Sequence, residues 1–373
     1  MPQNVITFYS NEGYIESLKA ACEAFQRGGL VVFPTETVYG IGARADIPAA
    51  VDRLRRVKQR GDEQPFTVHI GRRDDVDRFV PEVSPMARRL IRRGWPGPIT
   101  ILLPVDAVND APIVRELGAD VANALYREGL VGLRCPDDDR TRDLLNEAGG
   151  PVVAASANVA GQPAPRNVAE ALRTLEGQAD VVLDGGPTRL SVASTIVQFN
   201  GTGYRVLRPG VYDEASLRRL TALNILMVCT GNTCRSPMAA AMCGQLLAER
   251  VGGRADALAA LGVTVRSCGV FAAGGAPASA EAVEVMQRRG LDVSGHRSQP
   301  LSAELVNQAD HIFVMTQNHW NSVVRTVPSA KDRCRLLCDG EVDDPMGGRT
   351  ERYAQCAAQL EAGLRERLKE VEI

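Results

Sequence analysis

Hydrophobic positions in the first part of the chain change repeatedly between helical and strand spacing. Between residues 13 and 27 apolar side chains recur every three or four positions, which predicts an amphipathic helix. Continuous apolar runs, as at residues 30–33 and 99–103, predict buried strands. Several predicted strands follow one another with no room for a crossover helix, which favours a mixed sheet over a purely parallel one. We therefore predict an α/β domain with a mixed sheet over residues 1–210.

The second part of the chain alternates more regularly. Residues 223–228 predict a buried strand, and Ser236-Pro237 opens a helical pattern, because proline suits the first turn of a helix. Strands and helices then alternate up to a long final helix at residues 349–371, which predicts a small doubly wound parallel sheet. We expect residues 223–373 to form a second domain, joined to the first by a linker at residues 211–222.

Length and composition fit this division. The 373 residues suffice for two separate cores, and 45% hydrophobic with 24% charged residues is typical of globular proteins. A net charge of −2 gives no chain-wide attraction to nucleic acid or to an anionic membrane. There is neither an apolar run long enough to span a membrane nor a signal-peptide pattern, so we expect a cytoplasmic protein without membrane association. The nine cysteines follow no framework spacing, which favours reduced thiols.

The most explicit chemical motif starts at Cys229 and reads Cys-Thr-Gly-Asn-Thr-Cys-Arg-Ser. A loop of this spacing can wrap one tetrahedral oxyanion in backbone N–H groups while the arginine clamps it. The loop joins a predicted strand to a helix N-terminus, whose dipole lowers the pKa of a thiol. We therefore predict that Cys229 attacks a phosphoryl group as thiolate and that Arg235 holds the phosphate. Gly231 and Asn232 tolerate the left-handed dihedrals that such a loop requires.

An acid must complete this second site. When a thiolate attacks phosphorus, a group on the opposite side has to protonate the leaving group. The segment Asp343-Asp344-Pro345 supplies carboxylates in a loop, followed by Gly347-Gly348, which allows a close approach. We predict Asp344 as the acid.

Polar residues follow the predicted strands of the first domain. The clusters are Thr35-Glu36-Thr37, Arg134-Cys135-Pro136, Ser156-Ala157-Asn158 and Ser194-Thr195. None places a nucleophile next to a base, and His69 is the only histidine before residue 290, so a covalent mechanism is not expected here. Hydroxyls, an amide and arginines instead favour binding of a nucleotide and a small anionic substrate. Neither of the two common glycine-rich nucleotide fingerprints is present.

Two cations follow the predicted helix at residues 48–57. Lys58 and Arg60 come just before an apolar strand and form a candidate anion site. Basic residues are also common at helix C-termini, where they stabilise the helix dipole and remain in solvent. Their spacing alone leaves both interpretations open.

Several segments of the first domain together resemble one family. These are Pro34-Thr35-Glu36-Thr37-Val38-Tyr39-Gly40, Lys58-Gln59-Arg60 with Pro65, Trp95-Pro96-Gly97-Pro98, Ser156-Ala157-Asn158, Ser194-Thr195 and Arg208-Pro209-Gly210. Through them, residues 10–210 resemble the Sua5/YrdC family of L-threonylcarbamoyladenylate synthases. The resemblance implies a twisted α/β fold. It also implies that L-threonine, bicarbonate and ATP, with Mg²⁺, give threonylcarbamoyl-AMP and pyrophosphate for the modification of tRNA to threonylcarbamoyladenosine.

The same resemblance implies which residues bind substrate. Cations would bind the phosphates and the threonine carboxylate, while hydroxyl and amide groups would hold threonine, its carbamate or the nucleotide. The substrate-binding residues implied in this way are Thr35, Lys58, Arg60, His69, Arg134, Ser156, Asn158, Ser194 and Arg208. The tRNA threonylcarbamoyl-transfer machinery would be the partner that receives the product.

The second domain also resembles a known family. The segments are the run from Cys229 to Ser236, Ser267-Cys268-Gly269, His296-Arg297-Ser298, Met315-Thr316 and Asp344-Pro345. They resemble the low-molecular-weight protein-tyrosine phosphatases, and the run at Cys229 is most similar to the bacterial protein-arginine phosphatases. The implied roles are nucleophile for Cys229, phosphate binder for Arg235, donor to the thiolate for Ser236, loop organiser for Asn232, and acid then base for Asp344. Thr233 would favour phosphoarginine in the protein substrate, and no cofactor is implied.

The sequence leaves alternatives open. Phe271 is a candidate aromatic wall for a phosphotyrosine ring, so a tyrosine phosphatase competes with an arginine phosphatase. Cys334 and Cys338 could serve a thiol-coupled arsenate reductase, although packing is the expected role and no second ligand pair completes a metal site. The first domain could also be a degenerate module that binds a nucleotide or RNA without catalysis, or the chain could be an adaptor.

Overall fold

The computed structural model describes residues 4–7, 13–59, 61, 65–175, 177–201, 203–253 and 255–373. The chain divides into two compact units, residues 1–220 and residues 221–373. Helices alternate with strands in both units, which confirms the predicted α/β class. No helix in the described ranges combines the length and the hydrophobicity that crossing a membrane requires.

Eleven strands in the described part of the first unit form one sheet. They are β1 (Asn4–Thr7), β2 (Val31–Phe33), β3 (Gly40–Arg44), β4 (Thr67–His69), β5 (Ile99–Pro104), β6 (Tyr126–Arg127), β7 (Leu130–Arg134), β8 (Val152–Ser156), β9 (Val181–Asp184), β10 (Thr195–Asn200) and β11 (Gly203–Arg208). Their order is β1-β9-β2-β3-β8-β4-β7-β5-β10-β11, and β6 pairs with β7. Strands β4 and β7 run parallel, whereas β4 and β8 run antiparallel, which confirms the predicted mixed sheet.

Nine α-helices lie in the described part of the first unit, and some of them begin at a side-chain cap that the sequence supplies. They are α1 (Tyr14–Gln26), α2 (Pro48–Lys58), α3 (Val76–Phe79), α4 (Pro85–Gly94), α5 (Pro112–Leu117), α6 (Ala119–Leu125), α7 (Asp139–Glu147), α8 (Val168–Leu175) and α9 (Glu214–Thr221). The Ser84 hydroxyl accepts a hydrogen bond from an N–H in the first turn of α4, and Asp138 does the same for α7. Such caps satisfy N–H groups that have no partner within the helix. Helix α9 occupies most of residues 211–222, whose role as a linker stays a prediction.

Helices α1 and α7 cover one part of the sheet. Phe25 of α1 and Leu144 of α7 are fully buried in a cluster with Phe33 of β2 and Leu183 of β9. Burial of each such side chain stabilises the fold by about 1.5–3 kcal/mol. This packing holds β2, from which the polar segment starting at Thr35 emerges.

Side-chain alternation puts the polar residues of the central strands on one side. Thr67 and His69 of β4, and Gly132 and Arg134 of β7, lie two positions apart, so each pair projects from the same face of its strand. Val68, which lies between the first pair, is fully buried on the opposite face. A cavity opens on the polar face.

The second unit contains four parallel strands in the described residues. They are β12 (Leu223–Cys229), β13 (Val263–Gly269), β14 (His311–Val314) and β15 (Cys334–Leu336), in the order β13-β12-β14-β15. All three neighbouring pairs are parallel, which confirms the predicted parallel sheet. The chain order reverses beside β12, and ligands in such folds bind at the carboxyl end of the strands at this reversal. That end of β12 is Cys229.

Helices cover both faces of this sheet. They are α10 (Arg235–Arg250), α11 (Ala255–Ala260), α12 (Ala280–Arg288), α13 (Ala303–Gln308), α14 (Gln317–Thr326) and α15 (Thr350–Arg367). Met227 of β12 packs in a core with Met242 of α10 and Leu360 of α15, whereas its neighbour Val228 packs with Val323 of α14. Both sets of alternate side chains are apolar because both faces are buried, as is usual for parallel sheets.

Sequence analysis missed or shifted some elements. The sequence of residues 193–197 predicts a strand, but β10 begins only at Thr195, because Ala193 and Ser194 remain in a loop that lines the cavity. Gly210 lies against the backbone of that loop, where a Cβ would come within 2.4 Å of Thr195 N. The short helix α13 and the short strand β15 were not predicted, since each contributes few apolar positions.

Candidate active sites

The loop between β12 and α10 surrounds the thiol of Cys229. Cys229 ends β12 and Arg235 begins α10, so residues 230–234 form the loop. The Asn232 N–H points at Cys229 Sγ from 3.3 Å, and the Ser236 hydroxyl lies 2.9 Å from the same sulfur. Backbone N–H and the positive end of α10 therefore converge where an anion would bind.

Opposite influences act on the Cys229 thiol. Burial raises the pKa of Cys229 above its ordinary value. The hydrogen bonds with Ser236 and with the Asn232 N–H, and the charge of Arg235, lower this pKa and so favour the thiolate. Ser236 is the side chain with the most direct influence on the nucleophile.

Asn232 fixes the loop in an unusual conformation. Its φ of 57° is left-handed, which few residues other than glycine adopt. The Asn232 amide donates to Ser236 Oγ at 2.8 Å and to Ser267 Oγ at 2.9 Å, and its Oδ1 accepts from the Gln299 N–H at 2.9 Å. The His296 ring donates to the Asn232 carbonyl at 2.7 Å. These bonds hold the residue that the sequence indicated as loop organiser.

The guanidinium of Arg235 is held on three sides. Nη1 donates to the Val342 carbonyl at 3.1 Å, and Nη2 donates to Thr230 Oγ1 at 3.1 Å and to a carboxylate oxygen of Asp344. The Arg235 side chain is 5% exposed, whereas that of Asp344 is 44% exposed. The arginine of the nucleophile loop therefore contacts the predicted acid, and the carboxylate of Asp344 is the more exposed of the two groups.

His319, which is not among the predicted site residues, extends this network. The His319 ring is buried, with Nε2 at 2.9 Å from Thr230 Oγ1 and Nδ1 at 3.0 Å from Thr316 Oγ1. Burial, followed by the charge of Arg235, lowers the pKa of His319 to about 4, so the ring is neutral at pH 7.

Two further predicted residues lie at the rim of the loop. Thr233 is half-buried, and its hydroxyl lies 3.6 Å from Cys234 Sγ. The Phe271 side chain is 81% exposed, and its backbone N–H donates to the Thr230 carbonyl at 2.9 Å. The backbone of Phe271 is therefore hydrogen-bonded to the loop, while its aromatic ring is exposed to solvent.

The first unit contains a cavity of about 480 Å³ on the polar face of its sheet. Six residues predicted to bind substrate line it: Thr35, His69, Arg134, Ser156, Ser194 and Arg208. They come from strand ends and loops far apart in sequence, so the fold brings most of the predicted set together. Arg127 and Glu128, which sequence analysis did not select, also line this cavity.

Arg134 is the buried cation of the cavity. Its Nη2 contacts Glu36 Oε1 at 3.0 Å, Thr35 Oγ1 at 3.3 Å and Thr37 Oγ1 at 2.5 Å. Its Nε is buried without a hydrogen-bond partner. A buried N–H without a partner costs about 1–3 kcal/mol, so the fold holds this guanidinium beside the cavity at some cost in stability.

His69 presents a neutral ring to the cavity. The Nδ1 atom contacts the Thr67 carbonyl at 3.1 Å, and because a carbonyl only accepts, Nδ1 carries the proton. Burial, followed by the charge of Arg134, lowers the pKa of His69 to about 3. At pH 7 its Nε2 atom therefore has a lone pair and can accept a hydrogen bond.

Ser194 and Arg208 are neighbours in the structure. Arg208 Nη2 donates to the Ser194 carbonyl at 2.8 Å and to Ser194 Oγ at 3.1 Å. Thr100 Oγ1, from β5, lies 3.1 Å from Ser194 Oγ. The three polar groups form one side of the cavity.

Lys58 and Asn158 do not line the cavity, unlike the six predicted residues described above. Lys58 is buried, and its Nζ donates to the Ser156 carbonyl at 2.5 Å and to the Asn158 carbonyl. Arg60 lies outside the described residues, so its proposed contact with an anion stays a prediction.

Sequence analysis missed several residues that support these sites. Glu36 belongs to the polar segment after β2, which was its only signal in the sequence, and the fold buries it beside Arg134. Thr100 sits inside an apolar strand, and Ser267 and Gln299 reach Asn232 only through the fold. Within the described ranges, no group of three or more His, Cys, Asp or Glu side chains could hold a metal ion.

Comparison with known proteins divides the chain between residues 210 and 224, a range that includes the boundary between the two compact units. Residues 23–210 match the model of the Sua5/YciO/YrdC family, which is described as telomere recombination. Residues 224–372 match that of the low molecular weight phosphotyrosine protein phosphatases. A putative threonylcarbamoyl-AMP synthase of Mycobacterium tuberculosis is 39% identical over 191 residues, which is 51% of this chain and 82% of the relative. A protein-arginine-phosphatase of Geobacillus stearothermophilus is 40% identical over 143 residues, which is 37% of this chain and 88% of the relative.

The chain belongs to both families. It is a fusion of a Sua5/YrdC domain and a low-molecular-weight phosphatase domain related to protein-arginine phosphatase, which confirms both predicted resemblances. The threonylcarbamoyl-AMP synthase of Pyrococcus abyssi is 33% identical over 193 residues, or 52% of this chain. That match spans only about half (54%) of the relative's own length.

Proposed function

We propose that the Sua5/YrdC domain synthesises L-threonylcarbamoyl-AMP from L-threonine, bicarbonate and ATP. The observation that carries the proposal is the cavity on the polar face of the sheet, where Thr35, His69 and buried Arg134 bring hydroxyl, imidazole and guanidinium groups together. Two relatives, one of them putatively, are named threonylcarbamoyl-AMP synthases, and this name supports the reaction that we propose. In this reaction the carbamate of threonine attacks the α-phosphorus of ATP, and pyrophosphate leaves.

Some cavity residues would neutralise charge on the substrates, and others would orient the substrates by hydrogen bonds. Arg134 and Arg208 neutralise the threonine carboxylate and the phosphates, whose negative charge grows in the transition state. The Thr35 and Ser194 hydroxyls orient the substrates. His69 accepts a hydrogen bond from threonine at Nε2, which its neutral state permits.

Magnesium enters this scheme with the nucleotide. The cavity offers hydroxyls and arginines, and Glu128 is its one carboxylate among the described lining residues, so the site does not fit a resident Mg²⁺. We therefore treat the ion as part of an ATP–Mg²⁺ substrate. The product would pass to the tRNA threonylcarbamoyl-transfer machinery.

Pyrophosphate release tests the synthase directly. Purified chain should release pyrophosphate from ATP and Mg²⁺ only when both threonine and bicarbonate are present. Mass spectrometry should identify threonylcarbamoyl-AMP in the same reaction. Pyrophosphate release that is independent of threonine would refute this activity.

For the other half of the chain, we propose a cysteine-dependent protein phosphatase. The observation that carries this proposal is the convergence of three groups on Cys229 Sγ, namely the Ser236 hydroxyl, the Asn232 N–H and the N-terminus of α10. The Cys229 thiolate attacks phosphorus, an S–P bond forms, and the bond to the leaving group breaks as Asp344 gives it a proton. Water then attacks phosphocysteine, Asp344 takes up a proton, and phosphate leaves with the thiolate restored.

Phosphoarginine in proteins is the substrate we propose. The relative from Geobacillus stearothermophilus is a protein-arginine-phosphatase, and the half-buried Thr233 at the loop is small and polar. Exposed Phe271 beside the loop favours a second candidate, phosphotyrosine, because its ring could stack on another ring. Peptides of both kinds should be compared, with Cys229→Ser as the blank. Faster hydrolysis of phosphotyrosine would reverse this order.

A further inference from the structure

A chain of hydrogen bonds leads from the phosphate-binding arginine to the interior of the phosphatase domain. Arg235 Nη2 donates to Thr230 Oγ1 at 3.1 Å, and the same oxygen lies 2.9 Å from His319 Nε2. His319 Nδ1 lies 3.0 Å from Oγ1 of Thr316, the N-cap of α14. The chain ends on a rigid element, because Thr316 also accepts the His319 backbone N–H.

The direction of each proton follows from the groups present. Guanidinium has only donors, so Thr230 Oγ1 accepts from Arg235 and has its own proton left to donate. His319 Nε2 can accept that proton when the ring is neutral, and the low pKa of His319 keeps it neutral at pH 7. His319 Nδ1–H then donates to Thr316. In the other tautomer His319 Nε2–H donates to Thr230 Oγ1 and the Thr316 hydroxyl donates to Nδ1, so the ring restrains the Thr230 hydroxyl in either case.

The network matters most when a phosphoryl group enters. Arg235 then exchanges its contact with Asp344 for phosphate oxygens, and two protein contacts remain, one with Val342 and one with Thr230. The Val342 acceptor is a backbone carbonyl, whereas the Thr230 hydroxyl can rotate about χ1. His319 is the group that stops this rotation.

We propose that His319 is a positioning residue, which fixes the Thr230 hydroxyl and so aims the Arg235 guanidinium at the phosphoryl group. This inference rests on the proposed phosphatase function. His319 touches no reacting atom and acts through Thr230. A guanidinium that is no longer aimed at the phosphoryl group should bind phosphate about tenfold more weakly or worse, which corresponds to about 1.4 kcal/mol or more.

Paired substitutions separate positioning from packing. In His319→Gln the amide reaches the place of Nε2 and can still accept from Thr230, whereas in His319→Asn it reaches only the place of Nδ1. Thr230→Ser keeps the hydroxyl, whereas Thr230→Val removes it at nearly constant volume. All four variants should be checked for native melting behaviour before use.

The readout is the affinity for inorganic phosphate, measured by calorimetry on the full chain at pH 7, together with kcat and KM. We expect His319→Asn and Thr230→Val to weaken phosphate binding about tenfold or more, and His319→Gln and Thr230→Ser to stay within about threefold of wild type. The double variant His319→Asn with Thr230→Val should be no weaker than either single one, because both break the same link.

The outcomes distinguish this inference from the proposed activity. Equal phosphate affinity in wild type, His319→Asn and Thr230→Val would overturn the positioning role, even if the wild type hydrolyses phosphoarginine. Phosphate binding that is weakened in His319→Asn and restored in His319→Gln would support the positioning role. This holds even if neither phosphopeptide is hydrolysed, a result that would refute the proposed phosphatase activity and not the positioning role. Equal weakening in the Gln and Asn variants would also overturn it, because packing alone would then explain the loss.

Discussion

Arg235 and Asp344 are in direct contact, although one is assigned to the phosphate and the other to the leaving group. The carboxylate therefore competes with phosphate for the same guanidinium. Replacing Asp344 by Asn should tighten the binding of inorganic phosphate, because a competing negative charge is removed, and should lower kcat on a phosphoarginine peptide about 10²–10⁴-fold. Phosphate inhibition and steady-state kinetics measure the two effects.

Asp343→Asn is the matched control for this prediction. Asp343 is the exposed neighbour and lacks the contact with Arg235 that its partner in sequence makes. Its substitution should change neither quantity by more than about twofold. A drop in kcat for Asp343→Asn as large as that for Asp344→Asn would contradict the assignment of the acid.

Ser236 should control the ionisation of the nucleophile. Burial already raises the pKa of Cys229, and the hydroxyl at 2.9 Å opposes this effect. Ser236→Ala should therefore raise the pKa further, so the rate of iodoacetamide alkylation should reach its midpoint at a higher pH. Mass spectrometry of the peptide containing Cys229 reports this rate.

Ser322, a half-buried serine far from the nucleophile in sequence, provides a control for that experiment. Its hydroxyl bonds to the Asn318 carbonyl within α14. Ser322→Ala should leave the alkylation midpoint unchanged. An unchanged midpoint in Ser236→Ala as well would show that the hydroxyl does not stabilise the thiolate.

Two arginines of β11 allow a matched test in the Sua5/YrdC domain. Arg208 contacts Ser194 at the cavity, whereas Arg205 bonds to Gln198 on the exposed surface. Arg208→Ala should raise the KM for ATP or threonine about tenfold or more, because a charge facing the substrates is lost. Arg205→Ala should stay within about twofold of wild type in the pyrophosphate assay. Equal effects would remove Arg208 from the site.

Stability should fall in acid because two histidines are buried in the neutral form. The pKa of His69 is lowered to about 3 by burial and Arg134, and that of His319 to about 4 by burial and Arg235, against the opposing charges of Asp344 and Glu341. The unfolded chain binds these protons near pH 6.5, so stability is full above that pH and is lost as the pH falls.

Each histidine should add a slope of about 1.4 kcal/mol per pH unit to the free energy of unfolding between about pH 6 and pH 4.5. Urea unfolding of wild type, His69→Gln and His319→Gln over this range measures it, with each variant losing one such slope. Wild-type histidine NMR signals that titrate near pH 6.5, once assigned through these variants, would contradict the neutral buried state.

The sequence was most informative where chemistry lies in one continuous segment. The loop from Cys229 to Arg235 could be interpreted directly because its donors are successive residues. Contacts between distant residues could not be predicted: Arg134 and Glu36 are 98 positions apart, and Thr230 and His319 are 89 apart. Lys58 shows another limit, since its position at a helix end left an anion ligand and a solvated cation equally open, whereas the fold buries it against two backbone carbonyls.

One chain with two catalytic sites should carry out the two reactions independently of each other. The most direct measurement assays a single preparation of Cys229→Ser for both reactions beside the wild type. Hydrolysis of a phosphoarginine peptide should disappear, while threonine- and bicarbonate-dependent pyrophosphate release from ATP should continue at the wild-type rate. Phosphatase activity that survives the substitution, or pyrophosphate release that is absent from both proteins, would contradict this expectation.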